Sequence, residues 1–182
     1  ERILQSKIRR LPVIDKTGKL LGIITSLDVL VAISGGRAVH DHVSQIMVKN
    51  VFTCHATDSL EAGLHKMKTC KRGGLPIINN QKIVGIVSER DFVRNFDHIN
   101  FKTPVEQIMV RKPIILKISH TAHDALKAMT TSRLRRLPVV ENEKVIGLVT
   151  AYDLLRKLAQ NKFDVKTLAT PVTNLMRKFV VK

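Results

Sequence analysis

The chain has 182 residues, of which 44% are hydrophobic and 25% charged, a composition typical of a globular protein with a substantial core. Its formal net charge of +16 favours an anionic partner, such as a nucleotide, a nucleic acid or a membrane surface, although a basic solvated surface explains it equally well. No apolar run approaches the roughly 20 residues that span a bilayer, and Cys54 and Cys70 are typical of reduced thiols, so we expect a cytoplasmic protein.

The predicted elements begin with two strands and a helix in residues 1–39. A complete unit follows in residues 40–103, with a strand, a helix, two strands around a polar turn, and a last helix. The first of its helices starts at the capping residues 57–59 and presents Leu60, Leu64 and Met67 on one apolar face. The other segments are residues 51–54 for the first strand, 75–78 and 83–88 for the paired strands, 79–81 for the turn and 90–96 for the last helix.

One motif occurs three times: Gly, two apolar residues, Thr or Ser, two variable residues, then Asp. Its copies are Gly22–Asp28, Gly85–Asp91 and Gly147–Asp153, and each follows a Leu-Pro-apolar-apolar segment. Residues 45–91 also align with residues 107–153 without a gap, so the chain is built from repeats. The repeats are residues 1–39, 40–103 and 104–165, with the first strand of a fourth in residues 166–182, and we expect the middle of a four-repeat protein.

Each copy of the motif joins a hydroxyl to a carboxylate at the start of a helix. An Asp carboxylate accepts two hydrogen bonds from vicinal hydroxyls, which suits a ribose, and the free N–H groups of a helix start suit an anion. The same residues also serve as ordinary helix caps, and the physical chemistry alone does not favour one explanation. The pairs are Thr25 with Asp28, Ser88 with Asp91, and Thr150 with Asp153.

The order of elements, the Arg-Arg-Leu-Pro-Val segment at 135–139 and the repeated motif together resemble the CBS domain. The resemblance covers nearly the whole chain. Arg-Arg in repeats one and three, against Gly73 and Gly74 in repeat two, is similar to archaeal four-repeat proteins related to the gamma subunit of AMP-activated protein kinase. The fold it implies is α+β, with tandem β-α-β-β-α repeats paired through their sheets. We expect repeat one to pair with repeat two, burying Val13, Ile23, Ile77 and Ile86.

The resemblance also implies a nucleotide site. In that family the Asp of the motif holds ribose and the hydroxyl lies near the nucleotide. Adenine would lie among the apolar positions Ile23, Ile86 and Leu148, which are equally well explained as strand core. Phosphate would be bound by Arg9, Arg90 and Arg135, which are otherwise a solvated basic edge. Repeat two departs from the pattern at Gly73 and Gly74, which leaves the number of phosphates open.

These features predict a regulatory module rather than an enzyme. It would bind AMP, ADP, ATP or an S-adenosylmethionine-like ligand between paired repeats, form a homodimer, and signal to an unknown regulated protein. We expect no catalytic residues and no obligatory cofactor. His120 and His123 have no Cys or carboxylate arranged with them, so we expect no metal site. The alternative is a nucleic-acid-binding protein that uses the basic surface.

Overall fold

The computed structural model of the chain describes residues 2–6, 8–33, 40–98 and 100–160. The predicted fourth repeat, residues 166–182, lies outside the described residues. The chain divides into two compact units, which we describe separately. Unit one comprises Glu1–Met47, Ser119–Leu137 and Val149–Lys182, and unit two comprises Val48–Ile118 and Pro138–Leu148.

Repeats two and three have the predicted order of strand, helix, strand, strand and helix, and repeat one supplies two strands and a helix after a short additional helix. The elements are α1 (Arg2–Gln5), β1 (Arg10–Ile14), β2 (Leu20–Thr25), α2 (Ser26–Ile33), β3 (Cys54–His55), α3 (Leu60–Thr69), β4 (Gly74–Asn79), β5 (Lys82–Ser88), α4 (Glu89–Arg94), β6 (Val110–Arg111), β7 (Leu116–Lys117), α5 (Ala122–Ser132), β8 (Arg136–Glu141), β9 (Lys144–Thr150) and α6 (Ala151–Gln160). The chain is therefore α+β, as predicted.

Two predicted boundaries in repeat two are wrong. The strand expected at 51–54 is reduced to Cys54–His55, which pairs in parallel with β4. Before it, the carbonyl of Thr53 accepts a hydrogen bond from Nζ of Lys66 at 2.7 Å, so a side chain satisfies this backbone group instead of a neighbouring strand. The last helix ends at Arg94 rather than residue 96, and a 3-10 turn over Phe96–His98 follows it.

The two complete hairpins close with turns of the same geometry. Asn80 and Gln81 between β4 and β5 have φ values of 46° and 65°, and Asn142 and Glu143 between β8 and β9 have 49° and 64°. Positive φ at both central residues is the conformation that matches the right-handed twist of the flanking strands. The polar turn predicted after residue 78 is confirmed.

A seven-stranded sheet forms the centre of unit two. Its strands follow the order β3-β4-β5-β9-β8-β7, and β6 pairs with β5. The core of repeat two packs against its strands of this sheet and includes Leu60 and Met67, and Leu64 is partly buried beside them. The predicted apolar face of α3 is therefore confirmed. The other buried members are Cys54, Ala56, Leu75, Ile77, Val87, Phe92, Val105 and Met109.

Repeats two and three pair in this sheet because the segment that leads into each repeat, which we call its entering segment, pairs with a strand of the other repeat. Val48, which leads into repeat two, bridges Leu148 of β9, and β6, which leads into repeat three, pairs with β5 through Val110 and Ile86. Lys82 of β5 and Lys144 of β9 are also in register. Such an exchange needs an entering segment from each member of the pair.

The expected sheet pairing of repeat one with repeat two is therefore wrong, and so is the expected burial of Ile23. Strands β1 and β2 form a separate two-stranded sheet, and Ile23, which was expected to be buried, is 54% exposed. The described residues before β1 form helix α1 instead of an entering strand.

In unit one, the helices of repeats one and three pack together. Helix α2 lies against both α5 and α6, and its Leu30 is fully buried. An ion pair at 3.1 Å joins Nζ of Lys157 to Oδ1 of Asp41. Within the described ranges, no helix is both long enough and apolar enough to cross a membrane.

Candidate ligand site

The alternation of side chains along β5 separates the core of repeat two from the candidate site. Val87 is fully buried in the core, whereas Ile86 and Ser88 are only partly buried. Because alternate residues of a strand point to opposite faces, Ile86 and Ser88 share the face away from that core. Leu148 and Thr150 stand in the same relation along β9. The apolar positions predicted to line a ligand are therefore not part of the fully buried core.

Ser88 and Asp91 form a compact unit at the start of α4. The backbone N–H and the hydroxyl of Ser88 both donate to Oδ2 of Asp91, at 2.8 Å and 2.6 Å. This is a reciprocal helix cap, in which the side chain of the third helical residue satisfies the N–H of the capping residue. The helix-cap explanation of the motif is correct as far as these bonds go.

The same geometry recurs in the other two copies of the motif. The hydroxyl of Thr25 donates to Oδ2 of Asp28 at 2.8 Å, and that of Thr150 donates to Oδ2 of Asp153 at 2.6 Å. The backbone N–H groups of Thr25 and Thr150 donate to the same oxygens at 2.7 Å and 3.0 Å. Every copy thus holds its carboxylate in one fixed orientation.

A fourth cap of this kind lies outside the motif, at the start of α5. The hydroxyl of Thr121 donates to Oδ2 of Asp124 at 2.8 Å, and its backbone N–H donates to the same oxygen at 2.8 Å. These hydrogen bonds lower the pKa of the Asp124 carboxyl below its usual value. The cap by itself does not distinguish a ligand site, and Asp124 is a natural internal control.

The caps leave one carboxylate oxygen available. Within the described part of the chain, Oδ1 of Asp28 and Oδ1 of Asp91 accept no hydrogen bond, while Oδ1 of Asp153 lies 4.0 Å from Nη2 of Arg156. Asp91 and Asp153 are nevertheless buried. The Oδ1 atom of Asp91 is not among the buried atoms that lack a partner, so it is open to solvent and can accept a hydrogen bond from a ligand hydroxyl.

Backbone hydrogen bonds bring the basic positions to the same helix starts. The carbonyl of Arg9 accepts from the N–H of Ser26 at 3.3 Å, and the carbonyl of Arg135 accepts from the N–H of Ala151 at 3.0 Å. In repeat two the carbonyl of Gly73 accepts from the N–H of Glu89 at 3.4 Å. Arg9 and Arg135 thus lie beside their own Thr–Asp pairs.

Repeat two replaces the arginine with an acidic neighbour. A Cβ placed on Gly73 would lie 2.7 Å from Oε2 of Glu89, so the glutamate side chain lies directly over this glycine. Both residues line a cleft of about 450 Å³ together with Lys68, Lys71 and Arg72. The repeats therefore differ in charge at equivalent positions.

Sequence reasoning missed two valines next to the predicted apolar positions. Val110 pairs with Ile86 in β5, and Val48 pairs with Leu148 through N–H to carbonyl bonds of 2.9 Å and 3.0 Å in the two directions. The signal was present, because residues 46–48 and 108–110 both read Ile-Met-Val. In the sheet of unit two, Val110 therefore lies beside Ile86 and Val48 lies beside Leu148.

The remaining predicted residue, Arg90, is exposed on α4, and within the described residues it forms no ion pair. It lies one residue before Asp91 and three before Val93, so it shares the outer helix face with Val93. No group of three His, Cys, Asp or Glu side chains suited to a metal ion occurs among the described residues.

The amino-acid sequence matches the model of the CBS domain over residues 1–35, 43–98 and 105–160. The chain belongs to the CBS-domain family. It is 27% identical over 177 residues to the uncharacterized protein MJ1404 of Methanocaldococcus jannaschii, covering 88% of this chain and 42% of that protein. The chain thus spans about two fifths of the length of this curated relative.

Solved structures agree on the fold. MJ1225 of Methanocaldococcus jannaschii, proposed as an archaeal homologue of g-AMPK, superposes with a TM-score of 0.77 at 21% identity over 86% of this chain and 61% of that one. CBSX2 in complex with AMP superposes with a TM-score of 0.62 at 25% identity, over 67% of this chain and 98% of that one. The predicted similarity to archaeal proteins of the g-AMPK type is confirmed at the level of the fold.

Proposed function

We propose that the chain is a regulatory module of the cytoplasm that binds an adenosine-containing ligand at the Thr/Ser–Asp motifs of its repeats. It binds this ligand without transforming it. The observation that carries the proposal is the pair of largely buried aspartates, Asp91 and Asp153, each of which uses Oδ2 in a cap and accepts no hydrogen bond at Oδ1 from the described residues. The fixed carboxylate is prepared to accept ribose hydroxyls.

The cap and the ribose contact are compatible within one carboxylate. A carboxylate has about four lone-pair directions, and the cap uses only those of Oδ2. Because the cap fixes the side chain, little rotamer entropy is lost when a ligand binds. In this proposal the cap orients the ligand-binding group.

The base and the phosphate have separate candidate partners. In unit two, Ile86 and Val110 offer apolar surface on the strand face that also carries Ser88. The backbone carbonyls of Arg9 and Arg135 bond to the helix starts of repeats one and three, so their side chains are the candidate phosphate partners there, and Arg90 is the candidate in repeat two. The complex of AMP with CBSX2, which shares the fold, supports AMP as the first ligand to test.

The test is calorimetric titration of the whole chain with AMP and with 2′-deoxy-AMP. Asp91→Ala and Asp153→Ala should each remove hydrogen bonds to a charged acceptor, about 1.5–3 kcal/mol. That is roughly a tenfold to hundredfold loss of affinity at the altered site. The 2′-deoxy change should weaken binding to the native protein and add little in the variant, because both changes remove the same contact.

Asp124→Ala is the matched control, since Asp124 caps α5 with the same bonds but lies outside the motif. It should lower stability as the other variants do and leave AMP affinity unchanged. Additive effects of Asp91→Ala and the 2′-deoxy change would show that the carboxylate does not contact ribose. The motif would then be a helix cap only.

A further inference from the structure

The helix start that carries the motif has a different charged neighbour in repeats two and three. In repeat three, the carbonyl of Arg135 accepts a hydrogen bond from the N–H of Ala151 at 3.0 Å. In repeat two the equivalent residues are Gly73 and Glu89, which are joined by the same backbone bond at 3.4 Å. The helix start that has an arginine beside it in repeat three therefore has a glutamate in repeat two.

The carboxylate of Glu89 occupies the space that a side chain at position 73 would fill. A Cβ on Gly73 would lie 2.7 Å from Oε2, 3.0 Å from Cδ and 3.1 Å from Oε1 of Glu89. Glu89 is exposed, and within the described residues it forms no ion pair. Its negative charge is thus available where the 5′ substituent of the ligand is expected, since Arg135 is the candidate phosphate partner at the equivalent position of repeat three.

Three cations line the cleft of about 450 Å³ that also contains Gly73 and Glu89. These cations, all exposed, are Lys68, Lys71 and Arg72. Their equivalents in repeat three are Thr130, Arg133 and Leu134. The cleft of repeat two therefore combines one anion next to the Ser88–Asp91 cap with three cations from the end of α3 and the loop after it.

We propose that Glu89 determines the ligand specificity of repeat two. The motif of repeat two selects an adenosine whose 5′ substituent is positively charged next to the ribose and carries a carboxylate further out, whereas the motif of repeat three selects a phosphorylated one. This inference rests on the proposed function, because it concerns the ligand of the same motif.

The charges of the cleft fit such a substituent in two places. A cationic centre next to the ribose would be attracted by Glu89, whereas a phosphate in the same place would be repelled. The carboxylate of the substituent would be bound by the cations of the neighbouring loop, Lys71 and Arg72. S-adenosylmethionine is the probe for this class, because it has a sulfonium next to the ribose and both an ammonium and a carboxylate beyond it.

The first test measures the site of repeat two by itself. In the whole chain, Asp28→Ala with Asp153→Ala removes the ribose acceptors of the other two copies of the motif. Calorimetry should then show tighter binding of S-adenosylmethionine than of AMP. Adding Glu89→Gln should weaken S-adenosylmethionine about two- to fivefold and strengthen AMP by a similar factor, as the loss of an exposed charge does. Binding of 5′-methylthioadenosine, which is neutral, should not change.

Glu61→Gln is the matched control, because Glu61 is an exposed glutamate of repeat two that does not line this cleft. It removes the same charge and should leave the affinities of all three ligands unchanged. Lys71→Ala with Arg72→Ala should weaken S-adenosylmethionine and spare 5′-methylthioadenosine, because only the first ligand has a carboxylate.

The second test transfers the residues of repeat three to repeat two in the otherwise native chain. Gly73→Arg with Glu89→Ala gives repeat two the arginine and the alanine that repeat three has at positions 135 and 151. Both changes are needed together, because a Cβ at position 73 would collide with the carboxylate of Glu89. The double variant should bind AMP more tightly than the native chain does and S-adenosylmethionine more weakly.

The outcomes separate this inference from the proposed function. If Asp91→Ala weakens both ligands but Glu89→Gln leaves their affinity ratio unchanged, the motif binds adenosine and Glu89 does not select its substituent. A repeat two site that binds AMP more tightly than S-adenosylmethionine would overturn the inference as well. If neither ligand responds to Asp91→Ala, the proposed function itself is wrong.

Discussion

Repeats two and three have the same interior under two different outer surfaces. Phe92 and Leu154 are equivalent and both are buried, as are Leu75 and Leu137. One position further along the final helix, Val93 is exposed and Leu155 is buried. The residues just before β4 and β8 also differ, with Gly73 under Glu89 in one repeat and Arg135 beside Ala151 in the other.

This contrast separates what a repeat determines for itself from what its neighbour determines. Positions that face the repeat's own sheet are buried in both cases, because each unit must cover its own strands. Positions on the outer helix face are buried only where another repeat contributes a helix. Burial at these outer positions therefore shows whether another repeat packs against that helix.

The largest effect should come from the shared interior. Phe92→Ala and Leu154→Ala should lower the free energy of unfolding by about 3–5 and 2–5 kcal/mol, because each leaves a cavity in a packed core. Denaturant titration of both variants measures this directly. A much smaller effect in one repeat would show that the two interiors are not equivalent.

The next effect should come from the charge difference at the caps. Arg135→Ala should weaken AMP but not adenosine, by about 1.5–3 kcal/mol for the loss of a charge-assisted contact. Glu89→Ala should instead strengthen AMP by about 0.5–1 kcal/mol, roughly two- to fivefold, because a carboxylate repels phosphate. The measurement is the ratio of AMP to adenosine affinity in each variant.

An unchanged ratio in Arg135→Ala would mean that this guanidinium does not bind phosphate. The basic edge would then be solvated surface. An unchanged ratio in Glu89→Ala would mean that the glutamate does not face the ligand.

The smallest effect concerns the first helices of the two repeats. Helix α3 is capped by the hydroxyl of Ser59, which accepts from the N–H of Ala62. Helix α5 has the equivalent cap at Thr121 and, in addition, the N–H and hydroxyl of Thr121 donate to Asp124. The pKa of Asp124 is lowered from 3.8, so its folded value lies below its unfolded value. Its contribution to stability is present above the unfolded pKa and is lost as the pH falls through the folded pKa.

Asp124→Asn should therefore lower stability by about 0.5–1 kcal/mol at neutral pH, as loss of a cap does. The difference from the native chain should vanish in acid, below the lowered pKa. Thermal unfolding of both proteins between neutral and acid pH measures it. Ser59→Ala should give a difference that does not depend on pH.

Much of the fold could be predicted from the sequence, because its signals are local. The alignment of residues 45–91 with 107–153 predicted two equal units, and the apolar spacing predicted helix α3 with Leu60 and Met67 buried. The short strand β3 was overestimated, since strand length depends on the available partner. The partner of repeat two was predicted wrongly, because pairing depends on segments distant in the chain.

The candidate site divides in the same way. The pairing of Ser88 with Asp91 follows from a spacing of three residues at a helix start, so the sequence contained it. The repeated Ile-Met-Val segments mark Val48 and Val110 in the sequence, but the pairing of Val110 with Ile86 depends on strand exchange between repeats, which spacing alone does not predict. Whether Arg90 faces a ligand or a partner helix likewise depends on packing outside its own repeat.

The exchange of entering segments has a consequence for how the protein unfolds. Neither repeat two nor repeat three keeps its sheet intact if the other melts, since Val48 and Val110 would each lose their strand partners. Gly85 tightens this coupling, because an added Cβ would collide with the side chain of Met109 and with the carbonyl of Val110. The two repeats should therefore melt in a single cooperative transition, and hydrogen exchange in β5 and β9 should report one common opening event.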